Sequence, residues 1–197
     1  MRGLRSDENS LGLCAAGAVL QRSHRVRERR GKMAQALDIV GLLKKLALIE
    51  QEGVAFYESL AEHTRNEKIR KLAVTMSHVE KTHQERFERL VLDFKKRGKG
   101  KPSDRMTADV RQYILALIDH RIFLSPREAR VAAENITDEN EAVDMAIRFE
   151  KENILLLAEC REIVRGKTRK LIETFIGQEK AHVRSLEKIR RQLAGTP

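Results

Sequence analysis

The sequence predicts an all-α protein in which four antiparallel helices form a bundle from two helical hairpins with one long helical crossover between them. The composition is typical of a helical protein, with 35% charged residues, 4% aromatic residues and no tryptophan. Apolar residues recur at steps of three and four along most of the chain. The second half of the chain also repeats the pattern of the first, so we expect two equivalent hairpins.

The length of 197 residues suits one domain with a complete core. The net charge of +10 comes largely from residues 1–32 and from the stretch KKRGKGK at residues 95–101. Neither region carries aromatic residues for base stacking, so we expect no specific nucleic-acid partner. No apolar run is long enough to span a membrane, and the two cysteines form no C-x-x-C pair. We therefore predict a cytoplasmic protein with no membrane partner.

Residues 1–32 show no sustained period, and we interpret them as a disordered or misassigned N-terminal extension with a natural start near Met33. The remaining residues, 33–197, form the predicted domain. Its three parts are the first hairpin at 33–95, the connection at 96–136 and the second hairpin at 137–197.

The helical pattern begins at Ala34 and predicts a first helix that ends near His63. A polar break at residues 64–67 separates it from a second helix that ends near Lys95. The short break makes the two helices an antiparallel hairpin.

The connection contains a predicted helix at residues 109–120 and a turn signal, LSPRE, before another short helix. Thr137 or Asp138 is the predicted N-cap of the third long helix, and Gly166 is its predicted end. The fourth long helix follows directly and carries the last apolar stripe.

A Glu-x-x-His motif lies in the second helix of each hairpin, and the two copies are 99 residues apart. A further glutamate lies in the first helix of each hairpin, 30 residues before the motif in one case and 29 in the other. The six residues of this repeat are Glu50, Glu80, His83, Glu150, Glu179 and His182.

The four glutamates of the repeat occupy positions where the helical stripe calls for an apolar core residue. Buried carboxylates are costly and repel one another unless cations lie between them. Four carboxylates and two imidazoles are suitable ligands for two divalent ions of iron or manganese. The alternative is a basic, metal-free interaction bundle whose carboxylates face water or pair with Lys and Arg. We expect that arrangement for glutamates off the stripe, such as Glu52, Glu58 and Glu85.

The segments ALIEQEGVAFYESLAEH, RKLAVTMSHVEKTHQERFERL, AIRFEKENILLL and LIETFIGQEKAHVRSLEKI resemble the rubrerythrin-type branch of the ferritin-like superfamily. The resemblance extends from Met33 to Leu193 and implies a ferritin-like four-helix bundle with two iron ions, or manganese, in its core. It also implies that the six residues of the repeat are the metal ligands, with Glu80 and Glu179 bridging the two ions.

By this resemblance the protein is an oxidoreductase that reduces hydrogen peroxide or dioxygen as it oxidises a ferrous pair, with a role in oxidative stress. The alternative is an iron-binding protein or ferroxidase that acts in iron handling without peroxidase turnover. The sequence departs from the family at Asn153, where rubrerythrins carry a further glutamate. It also lacks the C-x-x-C pairs of a rubredoxin domain. We therefore expect a separate electron-donor protein, and the resemblance suggests a homodimer.

Tyr57 lies two helical turns after Glu50 on the same face. It is our candidate catalytic residue, which would hydrogen-bond an oxygen at the metals or relay a proton or electron. A tyrosine that serves only as core packing is the alternative. We expect Met76 and Cys160 to be core residues.

Overall fold

The computed structural model describes residues 37–96 and 106–195. These residues form six helices and no strand, which confirms the predicted all-α fold. In chain order the helices are α1 (Ile39–His63), α2 (Glu67–Lys96), α3 (Ala108–Asp119), α4 (Pro126–Asn135), α5 (Glu139–Ile163) and α6 (Gly166–Leu193). The predicted N-terminal extension, residues 1–32, and most of the basic stretch at 95–101 lie outside the described residues.

Side-chain caps define where two of the long helices begin. The Asp38 carboxylate accepts a hydrogen bond from the Gly41 amide at 2.6 Å, so α1 begins at Ile39 rather than near Ala34. Of the two predicted caps for α5, Asp138 is the one used: its carboxylate accepts from the amide nitrogens of Asn140 and Glu141. A short polar side chain therefore starts each of the helices that precede a Glu-x-x-His helix.

The end of α5 differs from the prediction. The helix ends at Ile163, and Gly166 is the first residue of α6 with a positive φ of 60°. Ile163 and Val164 are both buried, and Val164 has an extended backbone. Packing of Val164 into the core thus ends α5 earlier, and the glycine provides the left-handed conformation that starts the next helix.

The four long helices pack as two hairpins, α1 with α2 and α5 with α6. The hairpins meet through α2 against α6 and α1 against α5. The short helices belong to the connection, where α4 packs along α1 and α3 contacts α5. This is the predicted bundle with a helical crossover.

The apolar core has two parts. One contains Leu46 of α1, Phe87 of α2 and Phe175 of α6, and the other contains Phe56 of α1 and Phe149 of α5. On each long helix a polar segment lies between the residues of the two parts. A polar layer therefore crosses the bundle at one level, and it contains the six residues of the repeat. None of the described helices is both long and apolar enough to cross a membrane.

Candidate metal centre

The six repeat residues come together in two overlapping groups in the middle of the bundle. One group is Glu50, Glu80, His83 and Glu179, and the other is Glu80, Glu150, Glu179 and His182. Within each group, one ligand atom per residue lies within 4.8 Å of all the others. The two groups share Glu80 and Glu179, the residues that the family resemblance assigns as bridges.

All four carboxylates lie in the interior. Glu80, Glu150 and Glu179 have no exposed surface, and Glu50 is 1% exposed. The His83 side chain is also fully buried, whereas that of His182 is 11% exposed. The His182 end of the centre is therefore the end nearer to solvent.

Each shared carboxylate turns one oxygen toward each histidine. Glu179 places Oε1 2.9 Å from Nδ1 of His83 and Oε2 2.9 Å from Nδ1 of His182. Glu80 places Oε2 3.9 Å from Nδ1 of His83 and Oε1 3.4 Å from Nδ1 of His182. This arrangement suits carboxylates that bridge two cations.

Each of the remaining two glutamates, Glu50 and Glu150, lies close to one histidine. Glu50 Oε2 lies 3.7 Å from Nδ1 of His83, and Glu150 Oε1 lies 3.5 Å from Nδ1 of His182. Each imidazole therefore has one carboxylate of its own and two shared ones. The arrangement follows the duplication in the sequence, because each hairpin contributes one terminal carboxylate, one shared carboxylate and one imidazole.

Gly53 allows α1 to come close to this layer. A Cβ atom at this position would lie 2.9 Å from the Phe149 ring and 3.0 Å from Cγ of Glu80. Because Gly53 is one turn beyond Glu50, its lack of a side chain determines how near that carboxylate comes to the others. The glycine is thus part of the packing that forms the centre.

The residues present fit a pair of cations. Buried polar atoms are normally hydrogen-bonded. Eight buried ligand atoms of this layer, however, form no hydrogen bond of good geometry with the described residues, although two pairs of them lie 2.9 Å apart. These atoms are Glu50 Oε2, both oxygens of Glu80, His83 Nδ1, Glu150 Oε2, both oxygens of Glu179 and His182 Nδ1. Oxygen and imidazole donors in this ratio suit iron or manganese. Two such ions would provide partners for these eight atoms.

Burial and the close approach of charged groups shift the pKa values of the carboxylates in this layer. Burial, reinforced by the neighbouring Glu179, raises the pKa of Glu150 to about 8. Burial and the same carboxylate raise the pKa of Glu80 well above its ordinary value. Burial opposes ionisation of Glu179 too, but the two histidines beside it lower its pKa to about 2. Glu80 and Glu179 are equivalent in the repeat, yet their pKa values shift in opposite directions.

The pKa values of both imidazoles are raised by the neighbouring carboxylates, against the effect of burial. Burial lowers the pKa of His83, but the carboxylates of Glu179 and Glu50 overcome this effect and raise it to about 10. The pKa of His182 rises to about 9 against burial because of Glu150 and Glu179. Without cations, these shifts favour protonation of both imidazoles and of Glu80 and Glu150. Metal binding would have to displace those protons.

Tyr57 lies against the centre and is completely buried. Its hydroxyl donates a short hydrogen bond to Oε1 of Glu150, across the bundle from α1 to α5. Burial, with the nearby carboxylates of Glu150 and Glu80, raises the pKa of Tyr57 well above its ordinary value. The phenol is therefore a neutral hydrogen-bond donor to one of the predicted terminal ligands. Its position agrees with a role in catalysis, which remains a prediction.

Asn153 lies one turn after Glu150 and is 2% exposed. Neither atom of its amide has a hydrogen-bond partner among the described residues. The position that carries a further glutamate in rubrerythrins thus holds a buried neutral amide beside the polar layer.

Glu52 pairs with an arginine, one of the two arrangements that the sequence predicts for glutamates off the stripe, but it is buried. It is 3% exposed and faces Arg121, whose Nη2 lies 3.7 Å from Oε2 of the glutamate. The guanidinium group also lies over the ring of Phe149, 5.2 Å from its centroid. Arg121 belongs to the connection between α3 and α4, and no local pattern in the sequence identified it. Arg121 lowers the pKa of Glu52, but burial is the larger effect and raises it to about 7, so the pairing offsets only part of the cost of burying both groups.

The other interpretations agree with the structure. Glu58 and Glu85 are exposed, while Met76 and Cys160 are buried in the core. Burial raises the pKa of the Cys160 thiol, which is consistent with a packing residue.

Comparison with curated proteins gives no match, and neither does comparison with solved structures. The sequence model of one family, described as Rubrerythrin, matches residues 42–190. The match spans more than half of the chain, most of each of the four long helices and all six residues of the repeat. The chain is therefore a member of the rubrerythrin family.

Proposed function

We propose that the protein is a dinuclear iron oxidoreductase that reduces hydrogen peroxide or dioxygen. The observation that supports this most directly is the pair of overlapping ligand groups with shared Glu80 and Glu179. When bound, two ferrous ions would supply two electrons together to the oxidant. Glu50, His83, Glu150 and His182 would hold the ions individually, and the two shared carboxylates would hold them together.

Tyr57 and His182 can each hold a proton at the edge of the centre. The Tyr57 hydroxyl donates to Glu150, so it fixes the orientation of that carboxylate and has a proton at the edge of the centre. The partly exposed His182 lies where the centre is closest to solvent. The buried remainder of the layer excludes water from the ligands, which strengthens the electrostatic interactions among them.

The first experiment measures iron per chain after anaerobic loading with ferrous iron and removal of unbound metal. We expect about two iron ions per wild-type chain and loss of both in the Glu80→Ala/Glu179→Ala variant. The matched control is Glu85→Ala/Glu173→Ala, which removes two exposed carboxylates from the same helices, α2 and α6. Because the control makes the same change in charge, retention of iron there would separate ligand loss from general electrostatics.

Thermal unfolding of the same proteins distinguishes ligand loss from misfolding. Metal-free Glu80→Ala/Glu179→Ala should still unfold in one cooperative transition, because the apolar core on both sides of the polar layer is unchanged. Iron should stabilise only the wild type and the control. A wild-type protein that retains no iron would refute the proposal.

Oxidation of the loaded protein separates the two activities that the family resemblance allows. Repeated consumption of peroxide in the presence of a reductant would support an oxidoreductase. A single turnover followed by release or storage of ferric iron would support a role in iron handling.

A further inference from the structure

The two histidines of the candidate centre have different surroundings. Nε2 of His83 lies 3.0 Å from Oε1 of Gln178, a residue of α6. The same imidazole stacks on Phe175, with ring centroids 4.3 Å apart. His182 is partly exposed, and the contacts that its ring makes with charged side chains in the described part of the chain all involve Nδ1. His83 therefore has a partner at each ring nitrogen and a stacked ring, whereas the polar contacts of His182 with the described residues are with carboxylates at Nδ1.

The difference originates in one position of the internal repeat. Gln178 immediately precedes Glu179, and the equivalent residue before Glu80 is Val79. A glutamine on α6 can accept a hydrogen bond from the histidine of α2, whereas a valine on α2 has no side-chain group to offer the histidine of α6. The duplication thus preserves the ligands but not this partner.

Gln178 can fix which nitrogen of His83 is available as a ligand. When the amide oxygen accepts a hydrogen bond from Nε2–H, the proton stays on Nε2 and the Nδ1 lone pair is left for a cation. That Nδ1 atom already lies 2.9 Å from Glu179 and 3.7 Å from Glu50. Hydrogen bonds of this kind commonly change metal affinity by about 10- to 100-fold, because they fix the tautomer and orientation of the ring. His182 must lose more rotational freedom when it binds an ion.

We propose that Gln178 is a positioning residue that makes the two metal positions unequal. The position formed by Glu50, Glu80, His83 and Glu179 binds the first ion more tightly. The position that includes Glu150 and His182 fills second and is the one from which metal exchanges with solvent. This inference rests on the proposed function, since it requires that the centre bind two ions.

The test is anaerobic titration with Co²⁺, which does not change oxidation state here, in competition with a chromophoric chelator. We expect two phases for the wild type. Gln178→Leu should weaken the tight phase by about 10- to 100-fold and leave the weak phase unchanged. Gln178→Glu keeps an acceptor for Nε2–H and should retain the tight phase. His182→Ala should remove the weak phase only, which assigns it to the second position.

A second measurement uses the wild type alone and does not depend on the folding of any variant. In Zn²⁺-loaded protein labelled with ¹⁵N, the Nε2–H of His83 should exchange with solvent at least tenfold more slowly than that of His182. Equal exchange rates would overturn the inference, as would two equal phases in the wild type or equal weakening of both phases by Gln178→Leu. Failure of the wild type to bind any Co²⁺ or Zn²⁺ would overturn the proposed function as well, so the two failures can be distinguished.

Discussion

Replacement of Gly53 by alanine tests whether close packing of α1 is needed to form the centre. The added Cβ would lie 2.9 Å from the Phe149 ring and 3.0 Å from Cγ of Glu80. Both neighbours are fully buried. Alanine favours the helix by about 1 kcal/mol over glycine, but overpacking of a core costs about 1–3 kcal/mol. The net expectation is no gain in stability, or a loss of up to about 2 kcal/mol.

Gly177 provides the matched control. It also lies inside a long helix, α6, but a Cβ there would meet nothing within 4 Å. Gly177→Ala should therefore stabilise the protein by about 1 kcal/mol through helix propensity alone. In a protein of this size that corresponds to a rise in Tm of about 2–4 °C.

The assay is urea unfolding of both metal-free variants, followed by iron loading of each. We expect Gly53→Ala to be about 1–3 kcal/mol less stable than Gly177→Ala. It should also bind less iron, because relief of the contact displaces Glu80. If both variants gain the same stability and bind iron like the wild type, the close approach at Gly53 has no role in forming the centre.

Three further predictions concern a hydrogen-bond donor at the centre, a buried ion pair and a helix cap. Tyr57→Phe should keep its iron but oxidise it about 10- to 100-fold more slowly in stopped-flow measurements, because Glu150 loses its hydrogen-bond donor. Arg121→Met should lower the free energy of unfolding by about 3 kcal/mol. Burial raises the pKa of Glu52 to about 7, so at low pH the carboxyl group is protonated and the loss of stability in Arg121→Met should be small. The loss should grow as pH rises and the carboxylate forms. The double variant Glu52→Gln/Arg121→Met should recover most of the lost stability. Asp138→Ala should lower the thermal stability at pH 7. Hydrogen bonds from the Glu141 and Asn140 amides lower the pKa of Asp138, so its contribution is complete above the unfolded pKa of about 3.9. That contribution is lost as pH falls through the folded value, and acid titration of Tm should show the two proteins converging. A constant difference at all pH values would contradict the capping role.

The sequence alone was sufficient to predict the helices and the set of candidate ligands. Periodicity of three and four residues is a local property, so it places Glu80 and His83 on one helical face wherever the helix lies. Repetition of the same pattern at Glu179 and His182 indicated that both faces point to one core. Short polar caps, such as Asp138, likewise act within a few residues of their position.

The tertiary structure decided which side chains meet across the bundle. Glu52 lies two residues after Glu50 on α1, and it is buried as well because the connection brings Arg121 over its side of the helix. Tyr57 could be placed on the correct face, but its partner Glu150 is 93 residues away in the chain. The hydrogen bond between His83 and Gln178 spans 95 residues. Such contacts depend on how two hairpins dock, and docking depends on the packing of the whole core, which no local pattern records. The ligands of the candidate centre were therefore predictable from the sequence, whereas the difference between its two halves became visible only in the fold.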